Sequence, residues 1–507
     1  MNKFKQKFTS YLKSRNFPAH IMVALVICAV VFVNILIYTL SSIFPLYIYS
    51  PEKEDFSISS TSDILFDKYI NEGKRVTVTF CSYEEDVENH ETGKFVLETA
   101  RLFKERYGEF INIRFLNALT KLDSEGKSVA EELAIYSDEG KNLINATSVI
   151  FSSETEFRVI TDSVSSTGYI DFFTLDDSLY ITSYNGEEIF ASSVLWVLNK
   201  DHKNAYLTIG HGETANGTLY NILTVAGYEV KELDLRKNDI PEDSDLVIIS
   251  NPISDFERGA EGASLITEYD RLVSYRERGG SFMVFFNPLT KRLPVVESFV
   301  ADFGISQIAT DEGERMLIKD NENAITTDGF TLVSEFADSD LAESMENKIK
   351  LHTDESNNRV ILRSLAALSL KEGSSAQPVL VSSPSSVLEA SGETLDESGN
   401  YVIAAFSTLE NDLAEPSELF VMSDGMLTAS DAVITEGYSN RDFLYSIFDI
   451  LFDGGNMPYG CKSVVYNEQR LENLTMGDAR IYTAILLLVP VIIAAIGAVV
   501  ALRRKNR

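Results

Sequence analysis

The chain has 507 residues, room for about three domains at roughly 150 residues each. Its 45% hydrophobic and 24% charged content excludes disorder as the main state, and three cysteines exclude a disulfide-stapled scaffold. A formal charge of -32 argues against nucleic acid as a partner, because phosphate recognition rests on a basic surface.

Residues 1–18 are basic, with Lys3, Lys5, Lys7, Lys13 and Arg15 and no acidic residue. Residues 19–44 carry no charge apart from His20, enough length to cross a hydrocarbon core of about 30 Å as a helix. The run is longer than the roughly 7–15 residues of a signal-peptide core, so it reads as an uncleaved anchor. Residues 45–185 alternate strand and helix patterns. Arg75 to Phe80 is a β-branched strand, and residues 93–107 place Val96, Ala100, Phe103 and Tyr107 on one helical face. A strand at 110–116, a helix near 128–137 and strands at about 146–151 and 156–161 complete a small α/β domain.

Residues 186–455 form a second α/β domain. It opens with a helix at 186–199 and a short apolar strand, Ala205 to Ile209, followed by Gly210-His211-Gly212-Glu213. A helix at 216–226, strands at 228–233 and 245–249, and a helix at 262–277 ending at Gly279-Gly280 lead to the apolar strand Ser281 to Phe286. Such a run suits a parallel strand covered by helices on both faces. Residues from about 305 to 400 are less regular and read as an insertion with a few strands, such as 378–383; strands at 401–406 and 419–422 and a helix at about 440–452 close the domain. A stalk at 456–480 leads to a second uncharged span, 481–502, and a basic tail, 503–507. Both basic ends flank the spans, so the positive-inside rule places both termini in the cytoplasm and the bulk of the chain outside.

Gly126-Lys127-Ser128 lacks the glycine that a phosphate-binding loop needs five positions earlier, where Lys121 stands. Cys28, Cys81 and Cys461 form no CxxC pair, and a bridge between Cys81 and Cys461 would join distant regions. His90 lies beside Glu88 and Glu91 and reads as part of a solvated loop rather than a metal site. No cofactor is expected. The N-x-T sequons at Asn145, Asn216 and Asn473 matter only in a glycosylating compartment.

The Gly210–Glu213 cluster follows a first parallel strand, at the edge where open α/β sheets bind ligands. His211 and Glu213 suit an acid–base pair. The preferred reading is a tight turn in which Gly210 and Gly212 supply the backbone angles and His211 bonds locally, so that His211→Ala costs about 0.5–1.5 kcal/mol. Gly279 and Gly280 are likewise expected to make a structural turn. Any ligand at this edge would meet His211, Glu213 and Asn251. Ser250-Asn251-Pro252 stands where hydrolase layouts hold a nucleophile on a strained elbow, but no G-x-S-x-G or cysteine is present and the segment reads as a turn.

The order of LTIGHGE (207–213), DLRKNDIPEDSDLVIISNP (234–252), YRERGGSFMVFFNP (275–288), VMSDGMLTASDA (421–432) and GYSNRDFLYSIFDILF (437–452) resembles the auxiliary domain of the GldG-like, gliding-motility-associated ABC transporter family. The resemblance covers 186–304 and 400–507, and 45–185 in layout. It implies a non-enzymatic extracytoplasmic subunit with a partner permease and a cytoplasmic ATPase. It also implies a thioredoxin-like first domain without its dithiol and an amidotransferase-like or flavodoxin-like second one lacking the catalytic cysteine. The competing reading is a membrane-anchored hydrolase or carbohydrate-active enzyme using His211 and Glu213. A deep edge pocket favours the enzyme; a filled edge favours the accessory subunit.

Overall fold

The computed structural model describes residues 57–465, apart from 124, 137–143, 162–167, 176–180, 201, 214–216, 260–265, 353–358, 392, 395–397, 412–413, 425–426, 428–437, 452–456 and 462. All of these lie within one unit, Glu52–Tyr466. The apolar segments 19–44 and 481–502, both basic ends and the stalk beyond 465 lie outside the described residues. Among the described residues no helix is long and apolar enough to cross a membrane.

The first half contains α1 (Ser60–Asn71), β1 (Val76–Phe80), α2 (Glu84–Asn89), α3 (Gly93–Tyr107), β2 (Ile111–Phe115), α4 (Val129–Leu133), β3 (Val149–Ser152), β4 (Phe157–Ile160), β5 (Phe173–Leu175), β6 (Ile181–Tyr184) and α5 (Gly186–Leu198). β1 pairs in parallel with β2 and antiparallel with β3, giving the order β2-β1-β3-β4. α3 buries Val96, Leu97, Ala100 and Phe103, residues three to four apart, against one face of this sheet. α5 packs there too, through Phe190, Ala191, Val194 and Val197. The helix expected to open the second domain therefore belongs to the first core. Glu187 fixes it to α1 by accepting from the Ser59 amide at 2.6 Å and the Ser62 hydroxyl at 3.2 Å.

The second half runs β7 (Lys203–Thr208), α6 (Gly217–Val225), β8 (Tyr228–Leu233), β9 (Leu246–Ser250), α7 (Glu268–Glu277), β10 (Ser281–Phe285), α8 (Pro294–Asp302), β11 (Ile305–Gln307), β12 (Leu317–Lys319), β13 (Thr331–Phe336) and α9 (Asp340–His352). It continues with β14 (Val360–Arg363), β15 (Leu368–Leu370), β16 (Gln377–Val381), β17 (Val387–Ala390), β18 (Glu393–Thr394), β19 (Val402–Leu409), β20 (Ser417–Met422), α10 (Asn440–Leu451) and β21 (Val464–Val465).

A mixed sheet follows the path β14-β13-β16-β19-β20-β10-β9-β7-β8. The strands β8, β7, β9, β10 and β20 are mutually parallel, and β19 onward alternate in direction. All five residues of β9 are buried, because α6, α9 and α10 cover one face and α7 and α8 the other. In chain order the parallel strands read 2-1-3-4-5. The winding therefore reverses between β7 and β9, which creates a switch point at their carboxyl ends.

Two expectations are corrected. Residues 305–400 are not an irregular insertion: β13, β14 and β16 extend the main sheet, and α9 sends Ala342, Met345 and Ile349 into its core. The expected stalk begins inside the fold, since Met457, Tyr459 and Cys461 are buried and β21 pairs with β6, Val464 opposite Tyr184.

Arg441 of α10 ties the two halves together. It donates to Glu188 of α5 at 2.5 Å, to the Ser463 hydroxyl at 2.8 Å and to the Cys461 carbonyl at 2.5 Å, while the Tyr445 hydroxyl donates to the other Glu188 oxygen. Removing one partner of a buried pair leaves the other charge uncompensated. Arg441→Ala should therefore destabilise the chain by about 3–5 kcal/mol in denaturant unfolding. A loss below 1 kcal/mol would show that water replaces the guanidinium.

Candidate functional site

The switch point is occupied by side chains of the protein itself. The strand β7 ends at Thr208, and the chain turns through Gly210 at φ +116° and Gly212 at φ +75°. A Cβ on Gly210 would stand 2.5 Å from the Arg236 guanidinium, and one on Gly212 would stand 3.2 Å from Ile253. Both positions thus need glycine for conformation, and a side chain at 210 would also displace the Arg236 guanidinium. Arg236 donates to the Gly210 carbonyl at 3.1 Å while paired with Asp234 at 2.8 Å.

His211 stitches this turn to the loop after β9. Its carbonyl accepts from the amides of Ile253 and Ser254 at 2.9 and 3.0 Å. Its own amide donates to Glu213 Oε2 at 2.6 Å. The ring is held on both edges, with Nδ1 at 3.3 Å from Glu213 Oε1 and Nε2 at 3.1 Å from Glu268 Oε2. Phe256 packs against the ring at 4.2 Å between centroids. The three side chains are 7%, 2% and 3% exposed, so this edge is filled. Glu268 sits in the first turn of α7, where the helix dipole favours an acidic side chain, and it also accepts from the Glu257 amide at 2.8 Å.

Burial disfavours a charged imidazole. The hydrogen bond to Glu213 and the charges of Glu268 and Glu213 outweigh it and hold His211 above the ordinary histidine value. Burial likewise pushes Glu213 up, but the His211 ring and amide pull it below the usual carboxylate range. In the protonated form that this favours, each ring nitrogen donates, Nδ1 to Glu213 and Nε2 to Glu268.

Asn251 follows β9 with φ +54°, its amide donating to the Phe285 carbonyl at 2.9 Å. It occupies the strained position of an elbow, but with a carboxamide in place of a nucleophile. Ser250 is buried, and its hydroxyl has no partner among the described residues. Strand alternation puts it on the face of Leu246 and Ile248, whereas His211 lies against Phe256 of the opposite core. The structure therefore brings His211 and Glu213 together, sets Asn251 at the neighbouring strand end, and separates Ser250 from the imidazole.

Gly279 and Gly280 lie at the other end of the sheet, after α7. A Cβ on Gly279 would meet the Glu415 carbonyl at 2.6 Å, and one on Gly280 the Tyr275 ring at 2.4 Å. Cys81 and Cys461 are both buried and free, and burial pushes the Cys81 thiol up to about 12. His90 caps α3, its Nδ1 accepting from the Gly93 amide at 3.1 Å. No cluster of metal-ligating side chains occurs among the described residues.

Glu268, Phe256 and Arg236 are the members of this site that sequence reasoning missed. One signal was present: Thr267 and Asp270 form a capping box, with the Thr267 amide and hydroxyl donating to Asp270 Oδ2 at 2.8 and 2.7 Å. That motif marks 267 as a helix start and so places Glu268 at the sheet edge.

No family model matches the chain, and no curated protein matches it. Among solved structures, the N-terminal domain of mmIFT52 is similar at 15% identity, over 49% of this chain and 97% of that one, with a TM-score of 0.35. A ThuA-like protein from Bacteroides uniformis is similar at 12% identity over 49% and 92%, with a TM-score of 0.30. A glutamine amidotransferase from Thermotoga maritima is similar at 12% identity over 51% and 88%, with a TM-score of 0.25. Likeness at this level carries no residue of the site across.

The clamp sets a pH dependence. The raised histidine stabilises the fold below its ordinary value of 6.5, and this is lost as pH rises through the higher folded value; the lowered Glu213 contributes above 4.5, and this is lost as pH falls. His211→Gln should thus cost about 3 kcal/mol near pH 5.5–6 and progressively less as the wild-type ring deprotonates. That exceeds the loss expected for a simple turn hydrogen bond. A pH-independent gap between the two unfolding curves would rule out the imidazolium. Gly212→Val should lower the melting temperature at every pH.

Proposed function

We propose that this chain is a non-catalytic, membrane-anchored auxiliary subunit of an ABC transport system, GldG-like in organisation, with a partner permease and a cytoplasmic ATPase. The observation that carries the non-catalytic reading is the engagement of both His211 ring nitrogens by buried carboxylates. A general base needs one nitrogen free to face a substrate, and here neither is. The serine at the elbow position does not serve the ring either, since Ser250 is on the other face.

The transport and membrane parts of the reading rest on the sequence: the two apolar segments with basic flanks and the ordered motifs of the second half. The β2-β1-β3-β4 order, with its one parallel pair, supports a thioredoxin-like layout for the first half without a dithiol. The 2-1-3-4-5 order supports a flavodoxin-like or amidotransferase-like layout for the second.

Two measurements test this. Protease added to spheroplasts should remove the region 45–480 while tags at both termini stay protected; digestion of the C-terminal tag from outside sinks the topology. Purification of the tagged chain from native membranes in mild detergent should bring down an ATPase and a multi-span permease in stoichiometric amounts. A chain that purifies alone, with a hydrolase activity lost in His211→Ala, would replace this reading with the enzyme.

A further inference from the structure

A cleft of about 770 Å³ opens between α1 and α9, away from the switch point. α9 presents two faces. Ala342, Met345 and Ile349 enter the core, while Asp340, Glu343, Ser344, Asn347, Lys348 and Leu351 form a stripe along the cleft with spacings of three and four. A helix of 13 residues is about 20 Å long at 1.5 Å per residue, so the cleft runs for more than three helical turns.

Its two ends differ in chemistry. At one end of the stripe Leu351 is 77% exposed, and Ile64 of α1, which also lines the cleft, is 64% exposed. Two large aliphatic side chains exposed in the lining of one cleft mark a contact surface rather than a scattered surface leucine. At the other end, Asp340 and Glu343 are exposed and have no ion-pair partner among the described residues. Lys348 does not offset them, because it is held by Asp449, whose carboxylate also accepts from the buried Tyr459 hydroxyl at 3.0 Å. The groove is therefore apolar at the Leu351 end and negative at the Asp340 end.

We propose that this groove docks an amphipathic helix of a partner protein. Leucine- or isoleucine-type residues of that helix fill the space between Ile64 and Leu351, and lysine or arginine faces Asp340 and Glu343. Charge complementarity selects the basic end, and the length of the stripe selects a helix of about three turns. A second copy of this chain's described surface fits less well, because that surface is itself acidic. The proposal gives the accessory reading a contact surface but is separable from it: an assembly that forms through other surfaces leaves the transport reading intact and removes only the groove.

The test is site-specific photocrosslinking of the full chain in its native membrane. Leu351 is replaced by p-benzoyl-phenylalanine, with the same replacement at Leu119, 79% exposed and outside the cleft, as the control. The expected result is an adduct from position 351 and not from 119, mapped by mass spectrometry to a helical segment with basic residues at one end. Asp340→Lys with Glu343→Lys should cut the adduct yield at least fivefold while the protein still unfolds cooperatively, its melting temperature lowered by only a few degrees because both positions lie in the first turn of α9. Reversing the mapped lysines or arginines to glutamate should restore it. An adduct to lipid or to a second copy, equal yields from 351 and 119, no adduct, or no effect of charge reversal overturns the proposal.

Discussion

A guanidinium placed away from water has to be met by the protein, and Arg441 dictates what gathers around it. Its partners come from two separate stretches, Glu188 from the first half and Cys461 and Ser463 from the chain after α10; Ser463 donates on to Asn185, three residues before Glu188, at 2.7 Å. Buried pairs of this kind contribute little net stability over an apolar replacement, so their effect is on geometry. Here the geometry is a fixed seam. α5 cannot leave the first core without stranding Arg441, and residues 457–465 cannot peel away as a flexible stalk. The two α/β halves and the returning β21 act as one body.

That body holds a switch point whose usual role has been taken over by internal bonds. Winding the parallel strands 2-1-3-4-5 leaves a crevice between the ends of β7 and β9 whatever the sequence. What enters it decides the chemistry. A catalytic dyad keeps its histidine bonded to a carboxylate on one side and open on the other. Here a second carboxylate, Glu268, closes the open side, and Phe256 covers the ring. Asn251 keeps the left-handed backbone of an elbow, but the group it carries cannot attack. The same residues that suggest an enzyme in the sequence become a cross-link between two loops.

The contrast shows what was legible. Apolar runs such as Ser281 to Phe286 and the spacing of Val96, Ala100 and Phe103 reveal strand and helix because burial on a regular element imposes its period on the sequence. Within 305–400 the apolar run at 378–383 stands out and matches β16, whereas β13 and β14 were obscured for the same reason. β13 and β14 alternate buried and partly exposed residues over only six and four positions, too short for the period to stand above a polar composition. The assignment of α5 to the wrong half reflects a different limit: a helix pattern states that one face is buried, not against what. At the site, His211 and Glu213 were visible as neighbours in sequence, but Glu268 is 57 residues away and enters only through the winding of the sheet. That one unseen contact turns an acid–base pair into a clamp.

Charge follows the same division between internal and external use. Many arginines of the described region are paired with carboxylates of the same chain, at the surface for Arg101 with Glu84 and Glu88, Arg106 with Asp63 and Arg271 with Asp239, and buried for Arg315 with Glu297. Each such pair takes one cation and at least one carboxylate together, so pairing does not offset the acidic excess of the chain. The acidic excess therefore stands as unpaired carboxylates, and their field acts on association rather than on folding. A surface of this sign repels anionic headgroups and favours basic partners, but a diffuse field only steers. Binding needs a place where that charge coincides with exposed apolar surface. The α1–α9 groove meets both conditions, because the core takes one face of α9 and leaves Asp340, Glu343 and Leu351 on the other. The stripe that stabilises the helix and the stripe that faces a partner are thus set by one periodicity, read on opposite sides.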